Sequence, residues 1–463
     1  MRRRVQRDRS GDARSLEAAL SDIVGRDRTV SDRAGLIGLG FGSATAASAP
    51  RIKLAVLPET SDAIGAIVAA CVERGATFRA VGAGTVGMRD PAAFDATVAI
   101  VCTGLRKGAR IDAADRTLVA PAGLKLAEAR DRLSGEGLML PVEIEGAQTA
   151  TLGGAIAAGA IGLGMDRREA LRDHVVALDG FHADGERFTI TEAGRDVGVP
   201  DLVPIILAGA GGQTALCQVT IRLKPAIVRQ ARLFRLGGIG AVMSLGHILS
   251  AIAPRGSVLE IANQPLIASS GAVPAKADAE ADPQGVWCAA AWRADEPLSS
   301  AHPVLAAIEA AGARFADADT EAAHALRAGA VFSALGRARR SRMAGAPVNA
   351  ALPVGTLERA LGDIRNAVAE EGLDVGWRVG VRDGFATLVL IKTTDAEPAN
   401  LAIAQQTLVD IISDVGGTIV RSGAGAVPGL EAAFTEALRL SDETGHGPSP
   451  HAIYVFAPPE PAL

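Results

Sequence analysis

Gly146 to Arg187 reads GAQTATLGGAIAAGAIGLGMDRREALRDHVVALDGFHADGER, and its first half constrains this chain more than any other stretch. Gly146, Gly153, Gly154, Gly159, Gly162 and Gly164 lie among Ala, Thr and Leu, almost without charge. A glycine inside a helix costs about 1 kcal/mol against alanine, so a packed helix is not expected here. Glycine is kept where backbone approaches something closely or takes φ > 0. The second half differs: His174 to Gly180 reads as a short apolar strand ending in a turn, with a second turn at Gly185. A close-approach loop feeding a strand and hairpin makes a wall for a bulky anionic ligand. The competing reading is tight packing of small residues against another backbone.

The chain has 463 residues, more than one ordinary core accommodates, so two or three domains are expected. Its 48% hydrophobic and 21% charged content is that of a globular protein. A net charge of −5 argues against a nucleic-acid partner. Cys71, Cys102, Cys217 and Cys288 are far apart in apolar surroundings and are expected to be reduced core residues. The basic start, MRRRVQRDRSGDARS, has no apolar segment behind it, so no signal peptide is expected. Nor is there an apolar run of roughly eighteen residues that would span a membrane. The expectation is a soluble, cytoplasmic protein, peripheral to a membrane only through partners.

Residues 1–14 read as a basic arm, and Ser15 to Val24 as a short helix. Ile52 to Leu57 is an apolar strand, and Thr60-Ser61-Asp62 caps a helix reaching about Arg74, stopped by Gly75. Thr77 to Val81 is a second strand running into Gly82-Ala83-Gly84-Thr85-Val86-Gly87. Successive N–H groups in such a turn can hold a pyrophosphate. It is not the dinucleotide fingerprint of a Rossmann fold, because Pro91 argues against a helix opening there. Further on, DLVPIILAGAGG supplies a third glycine loop, and VTIRLKP a strand stopped by proline.

In this order the pieces resemble the FAD-binding domain of the vanillyl-alcohol oxidase/p-cresol methylhydroxylase (PCMH) superfamily, in its glycolate oxidase and D-lactate dehydrogenase branch. LAVLPETSDAIGAIVAACVERG is similar to the entry strand and helix, and FRAVGAGTVG to the first pyrophosphate loop. GAQTATLGGAIAAGAIG is similar to the second flavin loop, RDHVVALDGFHADGE to the strand and hairpin after it, and DLVPIILAGAGG with VTIRLKPA to the last loop and strand. The resemblance implies an α+β fold: a two-subdomain PCMH-type FAD-binding domain over residues 15–226, and a ferredoxin-like antiparallel α+β cap over 227–425. Residues 426–463 would form a C-terminal segment packing back on the FAD domain. It implies that FAD is held by Gly82, Ala83, Gly84, Thr85, Val86 and Gly87 in the first loop. Pro141, Gly146, Thr151, Leu152, Gly153, Gly154, Ala158 and Gly159 would follow, then Gly209, Gly212 and Val219. Covalent attachment in the superfamily uses His or Cys, and neither occurs in Gly82–Met88 or Gly146–Gly164, so non-covalent FAD is expected.

Two departures bear on activity. The branch carries cap histidines, around a Gly-Asp-Gly turn and after a Gly-Gly-Thr, that hold a divalent metal. Here Asp383-Gly384 is present, but Thr387 stands at the first histidine's place. Gly416-Gly417-Thr418 is present, but Arg421-Ser422 replaces the second motif's acid and histidine. No two of the seven histidines have ligand spacing, so no metal is expected. Arg378, Arg382 and Arg421 fall at the lost motifs, and an arginine fork suits a substrate carboxylate. No catalytic base is assigned. Two functions stay open. One is an FAD-dependent oxidoreductase acting on a small hydroxy acid or related anion. The other is an FAD-binding accessory subunit, beside a metal-motif flavoprotein and an iron–sulfur subunit, in a glycolate oxidase-like complex.

Overall fold

The computed structural model describes residues 9–41, 52–85, 96–144, 147–164, 168–191, 203, 206–207, 214–227, 229–252, 258–270, 286–293, 303–315, 343–392 and 398–419. Near the N-terminus the strands β1 (Thr29–Val30), β2 (Leu54–Val56), β3 (Phe78–Val81) and β4 (Val98–Val101) form one sheet in the order β1-β2-β4-β3. β2, β4 and β3 run parallel, which requires cover on both faces. The helix Ser61–Glu73 supplies one cover. Thr60 caps it by accepting from the Ala63 N–H at 3.1 Å, and Ile64, Ile67, Val68 and Cys71 pack on Leu54, Val56, Val98 and Ile100. Leu36, Phe41 and Ile52 pack with Ala55, Ala99 and Val101 in a second apolar cluster. The first helix spans Arg9–Val24 and so begins earlier than the apolar periodicity indicates.

The second sheet is antiparallel, in the order β11-β10-β12-β6-β5: Arg187–Thr191, Val175–His182, Thr214–Arg222, Thr117–Pro121 and Arg110–Asp112. Its core joins Leu118, Leu178, Val219 and Ile221 to the helices Leu126–Ser134 and Leu152–Ala157. Ala215 and Cys217 of β12 instead join the Ser61–Glu73 helix, so that helix links the two sheets. Two short pairs complete this half: β7 (Leu138–Met139) with β13 (Lys224–Pro225), and β8 (Ile161–Leu163) with β9 (Arg168–Ala170).

Two local expectations are corrected. Leu152–Ala157 is helical despite its glycines, for about a turn and a half. Strand β10 does not turn at Gly180 but runs on to His182, and the turn falls at Gly185, φ +95°. At Gly180 glycine answers a close approach: a Cβ there would lie 2.5 Å from the Ala215 carbonyl oxygen. All four cysteines are free and buried.

The third sheet has eight antiparallel strands: β14 (Arg229–Leu236), β15 (Val258–Ala262), β16 (Val286–Arg293), β17 (Arg314–Phe315), β18 (Met343–Ala351), β19 (Leu373–Gly380), β20 (Phe385–Lys392) and β21 (Thr418–Ile419). Their order is β17-β14-β16-β15-β19-β20-β18-β21. Each half is a ferredoxin-like βαββαβ unit with its fourth strand at the outer edge and its second at the join. The halves meet through β15 and β19, with Glu260 opposite Gly380 and Ala262 opposite Arg378. Helices Ile239–Ile252, Pro303–Ala310, Leu357–Glu370 and Pro398–Asp414 cover one face, burying Val242, Leu245, Ile308, Leu361, Ile364 and Leu408 against Phe234, Ile261, Val375 and Leu388. The other face carries the buried polar residues.

Candidate functional site

The first glycine loop leaves β3 at Val81 and meets the second directly. A Cβ on Gly82 would overlap the Thr151 hydroxyl oxygen and come within 3.2 Å of the Gly154 Cα. A Cβ on Gly153 would come within 2.9 Å of the Ala122 Cα and carbonyl oxygen. The glycines therefore let backbones of β3, β6 and the Leu152–Ala157 helix touch. Buried Thr151 caps that helix, its Oγ1 accepting from the Gly154 N–H at 3.2 Å. The Leu152 and Gly153 N–H groups donate to the Leu124 and Ala122 carbonyls, each at 2.8 Å. With these three N–H groups engaged internally, the second loop offers a flat glycine surface more than donors. Gly84 has φ +65° and Gly159, which ends the helix, φ +61°. Ala158 closes the helix, and Pro141 is buried after β7. Leu152 and Val219 are wholly buried in the second sheet's core, so their side chains serve packing. Val86, Gly87, Gly146, Gly209 and Gly212 lie outside the described residues, as does Arg421.

Arg378 sits on the third sheet's polar face, 2% exposed. Strand register puts it in one transverse row: Arg235, Trp287, Ala262, Arg378, Thr387 and Asn349. Thr387 therefore lies directly beside Arg378. Glu260, 1% exposed, shares this face, with only Ala289 and Gly380 opposite it on the neighbouring strands. The helix Gln264–Ser270 crosses one end of the face, where Leu266 meets Gly376 and Gln264 accepts from the Trp287 indole N–H at 2.7 Å. The guanidinium of Arg235 lies 5.3 Å from the Trp287 ring centroid.

The face's other end is met by the β8–β9 hairpin, which follows the second flavin loop. Arg168 donates from Nη2 to Glu260 Oε1 at 2.5 Å and from its backbone N–H to Asp383 Oδ2 at 2.6 Å. Its guanidinium stands 5.5 Å from the Phe385 ring centroid. Asp383 also accepts from the Phe385 N–H through Oδ1 at 2.9 Å, so both oxygens are used. The next residue, Glu169, turns the opposite way, to His174 Nε2 at 2.8 Å and Lys224 Nζ at 3.1 Å. Burial pushes the Glu169 carboxyl up, but Lys224 and then His174 outweigh it and hold it below the usual range. Arg79 on β3 is lowered by burial. Arg382 is not with Arg378. It is exposed in the β19–β20 turn and lines, with His247, Met243 and Val354, a cavity of about 140 Å³. Among the described residues, no group of three or more His, Cys, Asp and Glu could hold a metal ion.

Sequence reading missed Arg168 and Glu260. Glu260 left a weak trace as the one charge in the apolar strand VLEIA. Arg168, in MDRREAL, left none.

Residues 52–191 match the family model of the FAD binding domain. This match gives FAD as the cofactor. The D-lactate dehydrogenase of Archaeoglobus fulgidus is 28% identical over 173 residues, which are 37% of this chain and 38% of that relative's length. The whole fold is similar to a 4-ethylphenol oxidase from Gulosibacter chungangensis in complex with isoeugenol, with TM-score 0.70 and 15% identity over 94% of this chain and 95% of that one. An alkyldihydroxyacetonephosphate synthase gives TM-score 0.68 at 14% identity, covering 93% and 84%. Substrate-bound p-cresol methylhydroxylase gives 0.67 at 12% identity, covering 94% of each. The chain shares its α+β fold with these three proteins. A Cβ on Gly82, Gly153 or Gly154 would meet Thr151, Ala122 or the facing loop backbone, so these glycines are kept by the packing of the two loops on each other and on β6.

Proposed function

We propose that this flavoprotein oxidises a small hydroxy acid or related anion by hydride transfer to non-covalent FAD. Residues 15–226 would form the cofactor domain and 227–425 the cap. Arg378 carries the reading: it is a buried cation on the face that Arg168 ties to the cofactor domain, with the Thr387 hydroxyl beside it. A guanidinium fork binds a carboxylate through two parallel hydrogen bonds, and burial strengthens them. The 28% match to a D-lactate dehydrogenase supports the same substrate class. FAD, when bound, supplies the two-electron oxidant. The chain's own residues bind and orient the anion and exclude water from it. Of the other candidate arginines, exposed Arg382 is less suited to this task.

The second reading is the accessory subunit, with flavoprotein and iron–sulfur partners, and Thr387 in the histidine's place favours it. No helix among the described residues is long and apolar enough to cross a membrane. That suits either reading, at a cytoplasmic site or through partners beside a membrane. The test is anaerobic mixing of the purified chain with glycolate and D-lactate while the flavin's visible absorbance is followed. Bleaching in the wild type, slowed at least about 100-fold in Arg378→Lys, supports the oxidoreductase. A flavin that neither acid bleaches, in protein with full FAD, refutes activity of the chain alone.

A further inference from the structure

The oxidation needs a proton acceptor, and the branch's metal–histidine arrangement does not supply it here. Glu260 is a carboxylate 1% exposed on the same sheet face as Arg378. Its Oε1 is held by Arg168, whereas its Oε2 is buried with no hydrogen-bond partner among the described residues. A buried carboxylate oxygen left unpaired costs roughly 1–3 kcal/mol or more, so it calls for a donor. Neither lateral neighbour has one, because β16 presents Ala289 and β19 presents Gly380. Arg378 is diagonal to Glu260 across the β15–β19 pair, a spacing of roughly 7–8 Å between side-chain origins. A carboxylate on Arg378 would then leave the adjacent carbon's hydroxyl within reach of Oε2.

We propose that Glu260 accepts the substrate's hydroxyl proton at Oε2, and that Arg168 is its positioning residue. The inference rests on the hydroxy-acid reading above. The hydroxyl O–H bond breaks and its proton moves to the carboxylate. FAD, when bound, would take up the electron pair of the C–H bond as hydride, which balances the step and would leave the alcohol as a carbonyl. The groups facing Glu260 are Arg168 from the hairpin, Arg378 from β19, and Asp383 from the following turn, itself tied to the Arg168 N–H. Because Arg168 opens β9 in the hairpin that follows the second glycine loop, it holds the acceptor in register with the cofactor domain.

The experiment uses the full-length FAD-loaded protein, Glu260→Gln and Arg168→Gln. Flavin content and melting are measured first, then flavin reduction by glycolate and D-lactate. Binding of the oxo acids glyoxylate and pyruvate is followed by perturbation of the flavin spectrum across pH. An oxo acid offers no proton to Oε2, so its binding to the wild type takes one up. Affinity should then rise about tenfold per unit fall in pH once the carboxylate is ionised. Glu260→Gln should keep FAD, lose that slope because its amide donates without titrating, and slow reduction at least about 100-fold. Arg168→Gln should keep the slope and lose less rate. Glu260→Asp keeps the charge but withdraws the oxygen by one carbon, and should fall roughly 10- to 100-fold while retaining the slope. This variant tests the proposal if the glutamine variant does not fold. Wild-type rates in either Glu260 variant overturn it. So does an unchanged slope in Glu260→Gln, or identical behaviour of Glu260→Gln and Arg168→Gln, which would make the pair a clasp only. If none of the four acids binds or reduces the wild type, the hydroxy-acid reading falls first and takes this one with it. If the wild type is reduced and Glu260→Gln keeps pace, only the Glu260 role falls.

Discussion

Replacing Gly82 by alanine tests the contact between the two glycine loops. The added Cβ would overlap Thr151 Oγ1 and sit 3.2 Å from the Gly154 Cα. Thr151 is 2% exposed, and its hydroxyl is already committed to the Gly154 N–H, so it cannot simply rotate away. Either the cap is given up, at about 1 kcal/mol, or the loops separate, at an overpacking cost of about 1–3 kcal/mol. The expected cost is therefore about 1–3 kcal/mol. If the cofactor-bound form carries that cost, the FAD dissociation constant rises roughly 5- to 150-fold. The assay is reconstitution of apoprotein with FAD, followed by quenching of free-flavin fluorescence, beside a melting curve without cofactor. Thr151→Ala removes the obstructing oxygen, so the Gly82→Ala, Thr151→Ala double variant should bind FAD more tightly than Gly82→Ala alone. A coupling of at least about 1 kcal/mol is expected for side chains in direct contact. A Gly82→Ala variant with FAD affinity within about twofold of wild type and an unchanged melting curve would refute the loop contact. Strictly additive effects would show that Thr151 is not what the new methyl meets.

Acid precipitation should release all the flavin into the supernatant, because neither His nor Cys lies in Gly82–Met88 or Gly146–Gly164; colour left in the pellet would show a covalent link. Any turnover should survive chelation. Thr387 and Arg421-Ser422 stand where the branch's metal motifs fall, and both Asp383 oxygens accept backbone N–H groups. Activity lost to chelator and restored by zinc or manganese would contradict this. Burial, only partly opposed by Asp184 and Glu186, lowers the His182 pKa, and its ring packs 4.4 Å from Phe188. The unfolded chain then binds more protons than the fold below about pH 6.5. This contribution is therefore complete above that pH and is lost as pH falls through the folded value. His182→Gln should flatten the melting temperature between about pH 5 and 7 relative to wild type, and an unchanged slope would count against it.

Some of this protein follows from neighbours along the chain. The helix Leu357–Glu370 is legible because Leu357, Leu361, Ile364 and Val368 recur at helical spacing and all face the core. Strand β15 is legible as an apolar run, and the Ser61–Glu73 helix from its threonine cap and its glycine stop. The order of glycine loops is legible too, because backbone conformation depends on the residue itself. The same reasoning misplaced the turn near Gly180 and kept Leu152–Ala157 out of a helix. There the glycines answer Ala215, Ala122 and Gly82, contacts remote in sequence. The candidate site is of this second kind. Pairing of β15 with β19 brings Glu260 diagonal to Arg378, the β19–β20 hairpin puts Thr387 beside it, and docking of the β8–β9 hairpin supplies Arg168. A strand's sequence states which residues share a face, but not which strand lies next to it or in what register. That choice is made by burial of both halves of the sheet against their helices, and it alone separates buried Arg378 from exposed Arg382 four residues later.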